Sequence, residues 1–169
     1  MIQHVIRLDL PAPMNWEVFL KSGINKEGLV HCYTEYMLTN CKSALREDQS
    51  LIISGGDDDK VWKITRKKNN HTPILQSQQQ EEADTRLILH TIYAANHGSD
   101  SIVVISPDTD VLVLLVHHRP IIRAAQVYML TGRMGKHTNL KRYIPCHSIY
   151  QKLTPQHHCI MLSIYCLTC

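Results

Sequence analysis

The order of apolar and polar positions divides the chain into segments of different period. The opening "HVIRLDL" alternates like a half-buried strand, and "PAP" ends it because proline donates no ladder hydrogen bond. Trp16, Phe19 and Leu20 then fall at i, i+3 and i+4, which predicts a short helix capped by Asn15. A second, longer helix is expected with Asn25 as its cap. Leu29, Cys32, Tyr33, Tyr36, Met37 and Leu45 keep its apolar period. "SLIIS" and "KVWKIT" flank "GGDDD" and read as a β-hairpin, whereas "RKKNNHTP" reads as a solvated basic loop.

The second half changes character. "SQQQEEADTRLILHTIYAANHG" opens acidic, carries Leu87, Ile88, Ile92 and Ala95 on one face, and reaches a stop at Gly98, so a helix is predicted over about 79–96. "SIVVIS" is apolar on both faces, as in the central strand of a parallel sheet. "VLVLLV" reads as a helix capped by Asp108 or Thr109; a strand, with "PDTD" as a hairpin turn, is the competing reading. "AQVYMLTG" is a further strand and "RMGKHTNLKR" a basic loop. "YIPCHSIYQKL" and "PQHHCIMLSIYCLTC" give a last strand and one or two helices. Helices alternating with apolar strands predict an α/β fold with a mostly parallel sheet. With no repeat or linker, residues 1–169 read as one domain: 1–78 bring helices and a hairpin, 79–169 the core.

Composition narrows the class. The chain has 169 residues, 44% hydrophobic and 20% charged, enough for a buried core and unlike a disordered chain. Its net charge of +3 announces no nucleic-acid partner by itself, so any basic surface must come from local clustering. No apolar run approaches the roughly 18 residues of a membrane helix, and no secretory leader opens the chain. The six cysteines therefore read as free thiols of an intracellular, soluble protein with no membrane partner.

The chemistry concentrates in acids. Glu82 and Asp84 open the predicted helix, Asp108 ends the apolar strand, and Asp110 opens the next element. Ligands of open parallel sheets bind beyond the carboxyl ends of strands, where Asp108 and Asp110 fall. Hard cations such as Mg²⁺ and Mn²⁺ take carboxylate oxygens, and phosphodiester hydrolysis by paired metals uses such a cluster. Carboxylates brought together without cations would raise one another's pKa.

"EEADT" followed by "VVISPDTDVLVLL", with 24 positions from Asp84 to Asp108, resembles the central signature of PIN-like and flap-endonuclease-like nucleases. The resemblance implies a three-layer PIN-like fold, here incomplete and with an added β-hairpin. It implies a two-metal Mg²⁺ or Mn²⁺ site on Glu82, Asp84, Asp108 and Asp110, with Glu81 entering only in another register. It also implies a DNA or RNA substrate, whose backbone Arg86, Arg133, Lys136, Lys141 and Arg142 would contact. A wider resemblance runs through "NWEVFLKSGINK", "QEEADTRLILH", "SPDTDVLVLL", "GKHTNLKRYIP" and "SIYCLTC". It is to uncharacterised multi-copy animal proteins that look like derivatives of this superfamily, and the copy number suggests a mobile-element origin. The superfamily's first-strand aspartate and its Gly-Cys-Asp turn after "CLT" have no counterpart here. The expected site is therefore incomplete, and Asp9 reads as an ordinary surface residue.

Each signal has a plainer reading. Glu81, Glu82 and Asp84 suit a helix N-terminus, and Asp108 suits a cap. Asp57, Asp58 and Asp59 suit a solvated hairpin tip. Lys63, Arg66, Lys67 and Lys68 suit either phosphates or a solvated face. His157, His158, Cys159, Cys166 and Cys169 raise a zinc reading, but a second well-spaced ligand pair is missing. A non-catalytic binding module, or a gene relic of the same fold, competes with the nuclease.

Overall fold

The structure, a computed structural model, describes residues 11–54, 60–75, 83–132, 134–135, 138–139, 141–154 and 156. The strand expected in "HVIRLDL", the turn Asp57 to Asp59 and the stretch from His157 onward lie outside them. The chain divides into two compact units, Met1–Gln78 and Gln79–Cys169.

In the first unit Asn15 does act as a cap. Its side-chain oxygen accepts the Val18 N–H at 3.0 Å and starts α1, Trp16–Leu20. The longer helix α2 covers Gly23–Asn40, and its cap is Ser22 rather than Asn25. Asn25 is buried inside the first turn, and its amide donates to the Phe19 carbonyl at 3.2 Å, closing the α1–α2 corner. Leu45 falls outside α2, because a 3₁₀ turn, Cys41–Ala44, follows Asn40. Of the expected apolar stripe, Leu29, Cys32 and Met37 are half-buried, but Tyr33 and Tyr36 are exposed.

The expected hairpin is present. Strand β1, Ser50–Ser54, pairs antiparallel with β2, Val61–Thr65. The "RKKNNHTP" segment is not merely a loop: β3, Asn69–His71, pairs with β2 and makes a third strand. Asparagine and histidine are ordinary loop residues, but a tight turn imposes this pairing. The Thr65 N–H donates to the Lys68 carbonyl at 2.9 Å, and the Thr65 hydroxyl accepts the Lys68 N–H at 3.2 Å. The Asn69 amide then ties β3 to the Leu38 carbonyl of α2 at 3.0 Å. Tertiary contact has overridden strand propensity.

In the second unit α3, Ala83–Asn96, buries Ile88 and packs Leu87, Ile92 and Ala95 against the core. It stops at Gly98, whose φ of 90° suits a residue without a Cβ. The Gly98 N–H reaches the Ala95 carbonyl and the Ser99 N–H the Ala94 carbonyl, a Schellman end. Strand β4, Ser101–Ile105, leads through α4, Thr109–His117, to β5, Gln126–Thr131, and the two strands pair parallel. "VLVLLV" is thus helical. Between β5 and the last strand, "RMGKHTNLKR" contains two short paired strands, β6, Met134–Gly135, and β7, Thr138–Asn139. Then β8, Arg142–Pro145, pairs antiparallel with β5, and α5, Cys146–Lys152, follows.

The sheet order is β4-β5-β8, so β5 is central among the described residues and "SIVVIS" lies at an edge, a correction to the reading above. Val104, Val127 and Met129 face a core shared with Ile88 of α3, Val111, Leu114, Leu115 and Val116 of α4, and Cys146 of α5. On the opposite face Val103, Ile105 and Tyr143 are exposed. The architecture of the described residues is mixed α/β, with two three-stranded sheets, one small two-stranded ribbon and five α-helices.

Candidate metal centre

The end of β4 is built by a short relay of hydrogen bonds. Ser106 is buried, and its N–H donates to the Leu130 carbonyl at 3.2 Å, carrying the parallel pairing one residue past β4. Its hydroxyl accepts the Asp108 N–H at 3.1 Å. Asp108 has an extended backbone, and its Oδ1 accepts the Asp110 N–H at 3.0 Å. That bond caps α4 and satisfies one of the N–H groups a helix start leaves free. Asp108 is exposed, and Asp110 is half-buried in the first turn. Both acids stand at the carboxyl end of a parallel strand and the amino end of a helix, where partial positive charge collects.

Asp84 sits half-buried in the first turn of α3. This helix packs on β4 and α4, and its C-terminal end feeds the start of β4. It therefore runs back along the strand, and its 14 residues, roughly 21 Å, bring its first turn to the edge where β4 ends. Glu82 and Glu81 lie outside the described residues, as do Arg133 and Lys136. Among the described residues, no three His, Cys, Asp or Glu side chains group closely enough to hold a metal ion.

The basic candidates separate. Arg142 opens β8 opposite Thr131, next to the Leu130–Ile105 pair, so it belongs to the same carboxyl edge as Asp108. Lys141 is exposed immediately before it. Arg86 is half-buried on α3, one turn before His90, and its charge acts on that ring. Burial first, and then the Arg86 guanidinium, hold the His90 pKa below its ordinary value. A shallow cleft of about 460 Å³, lined by Ile92, Asn96, Pro120, Ile121 and Arg123, lies at the opposite, amino edge of the strands and takes no part in the acidic site.

Sequence reasoning passed over Ser106 as the last letter of a strand. The available signal was its place two residues before Asp108, the spacing at which a serine hydroxyl accepts a backbone N–H. Compared with known proteins, the chain matches no family model, no curated protein and no solved structure.

Proposed function

We propose that residues 79–169 form a divalent-metal-dependent nuclease-like domain of the PIN-like type, acting on DNA or RNA phosphodiesters. Glu82, Asp84, Asp108 and Asp110 would hold Mg²⁺ or Mn²⁺. The observation that carries this reading is the junction of β4 and α4, with Asp108 and Asp110 at the carboxyl end of a parallel strand. All four candidate ligands are hard oxygen donors, as Mg²⁺ and Mn²⁺ require, with no thiolate or imidazole among them. When bound, such cations activate water and stabilise the leaving oxygen. The chain's own part is to hold carboxylate oxygens still. Asp108 spends Oδ1 on the Asp110 N–H and keeps Oδ2 for a ligand. Arg142, at the same edge, supplies a cation for a substrate phosphate.

A second reading rests on the same bond. If Asp108 serves only as a cap, the domain is a non-catalytic binding module of this fold. Replacing Asp108 and Asp110 together by asparagine separates the two, because asparagine caps as well as aspartate but removes the charge. Purified full-length chain should cleave labelled single-stranded, flapped or duplex substrates slowly in Mn²⁺. The double variant should melt normally and cleave nothing above background. Equal background in both proteins rejects catalysis and leaves the binding module standing.

A further inference from the structure

We infer that the β2–β3 turn of the first unit is a docking surface for a nucleic-acid backbone, separate from the proposed metal site. Arg66 and Lys67 form the tip of a two-residue turn, and Lys68 stands opposite Thr65. All three are exposed, and Lys63 follows on the ribbon opposite Asn70. None of the four has an acidic partner among the described residues, and no described residue from Lys60 to Leu75 is acidic. Asp57, Asp58 and Asp59 precede β2, whereas the tip cations follow it, with the whole strand between.

The turn is rigid where it needs to be. The Thr65 hydroxyl accepts the Lys68 N–H at 3.2 Å and donates to the Lys68 carbonyl at 3.0 Å, so the tip is closed by side chain as well as backbone. Three like charges are thereby fixed within one turn, whose ends are less than about 7 Å apart. Their mutual repulsion is relieved when a polyanion arrives.

The side chains select the polyanion. The exposed residues of the tip are Arg66, Lys67 and Lys68, so it lacks the aromatic or aliphatic anchor a protein partner would use. It also carries no aliphatic or aromatic residue between Thr65 and Asn70, so nothing there can enter a lipid interface. Point charges projecting from a ribbon fit regularly spaced phosphates. Behind them the exposed His71 ring meets Trp62 edge-on at 5.8 Å and offers a π face for a base.

The test uses the full chain in EDTA, so that binding is read without cleavage and independently of the acids. Labelled single-stranded and duplex oligonucleotides are titrated at several salt concentrations. The wild type is compared with an Arg66→Gln, Lys67→Gln, Lys68→Gln variant and with a charge-matched Lys26→Gln, Lys42→Gln, Lys152→Gln control. Loss of three phosphate contacts should lower the slope of log K against log salt by about 2 on single strands and about 3 on duplex, and weaken binding at least about 100-fold near 0.1 M salt. The control should keep the wild-type slope, and the Asp108→Asn, Asp110→Asn protein should bind no more weakly than wild type. Equal losses in variant and control, no oligonucleotide binding by the wild type, or preferential binding to anionic vesicles would each overturn the inference. Oligonucleotide binding in EDTA by a wild-type chain that shows no Mn²⁺-dependent cleavage would fault the metal site alone and leave this inference standing.

Discussion

At the scale of single residues, Asp108 holds two roles that substitution can part. Its Oδ1 caps α4, a bond of the kind whose loss to alanine costs about 1 kcal/mol, whereas asparagine keeps it. Asp108→Ala should therefore lower the urea midpoint measurably, and Asp108→Asn should leave it within a few tenths of a kcal/mol of wild type. His90 gives a pH signature. Its folded pKa is held below the ordinary 6.5, so below that pH the unfolded chain binds a proton that the folded chain resists. Stability should be full above pH 6.5 and fall as the pH drops toward the lower folded value. Thermal melts of wild type and His90→Gln across that window check this, and the variant should show the shallower fall. Cys146 illustrates a legible residue with an illegible environment. The sequence read it as a free thiol, and it is one, but complete burial raises its pKa to about 11 and makes it a core group.

At the scale of elements, pattern was informative where burial is one-sided. The α3 face was readable because Leu87, Ile88, Ile92 and Ala95 recur at helical spacing and all meet one core. The α2 stripe misled, since Tyr33 and Tyr36 are exposed while Asn25 and Thr34 are buried. Periodicity reports amphipathicity and not which side finds a partner. Strand β4 makes the same point in reverse. Its residues are apolar on both faces, but among the described residues only one face is covered: Val104 is 6% exposed and Ile105 73%. Substitutions should follow the coverage. Leu115→Ala, at a fully buried position of α4, should cost about 2–5 kcal/mol, and Ile105→Thr less than about 0.5 kcal/mol. Denaturant unfolding of the two variants measures both, and similar losses would contradict the covered-face assignment.

At the scale of the whole molecule, the chain is two compact units, and chemistry is distributed between them. The candidate metal-site acids and Arg142 belong to the second, the exposed run Arg66, Lys67 and Lys68 to the first. No helix of the described residues is long and apolar enough to cross a membrane. The proposed metal binding would provide a readout that needs tertiary structure, because two of its proposed ligands, Asp84 and Asp108, lie 24 positions apart in sequence. Mn²⁺ should raise the melting temperature of the wild type only at concentrations well into the millimolar range. At tenfold over Kd the stabilisation is about 1.4 kcal/mol. The Asp108→Asn, Asp110→Asn protein should show no such rise by scanning calorimetry. An equal rise in both proteins would mean that the cation binds elsewhere.

The sequence alone determined what depends on near neighbours. The cap at Asn15 and the stop at Gly98 follow from residues within about one turn of one another, and the β1–β2 hairpin from two neighbouring apolar runs, whereas the helix through Val111 to Val116 was settled against a strand only by the structure. It also marked Asp84, Asp108 and Asp110 as residues opening or capping helices, since polar side chains beside apolar runs are visible locally. Only tertiary structure decided that β5 is the central strand among the described residues, that Asn25 locks a corner instead of capping a helix, and that the strand closed by the Thr65–Lys68 turn is held to the Leu38 carbonyl of α2 through Asn69. The physical reason is the same in each case. Sheet order, burial and the pairing of weak strand formers depend on contacts between segments distant in sequence, whose free energy exceeds the local preferences that a linear pattern records.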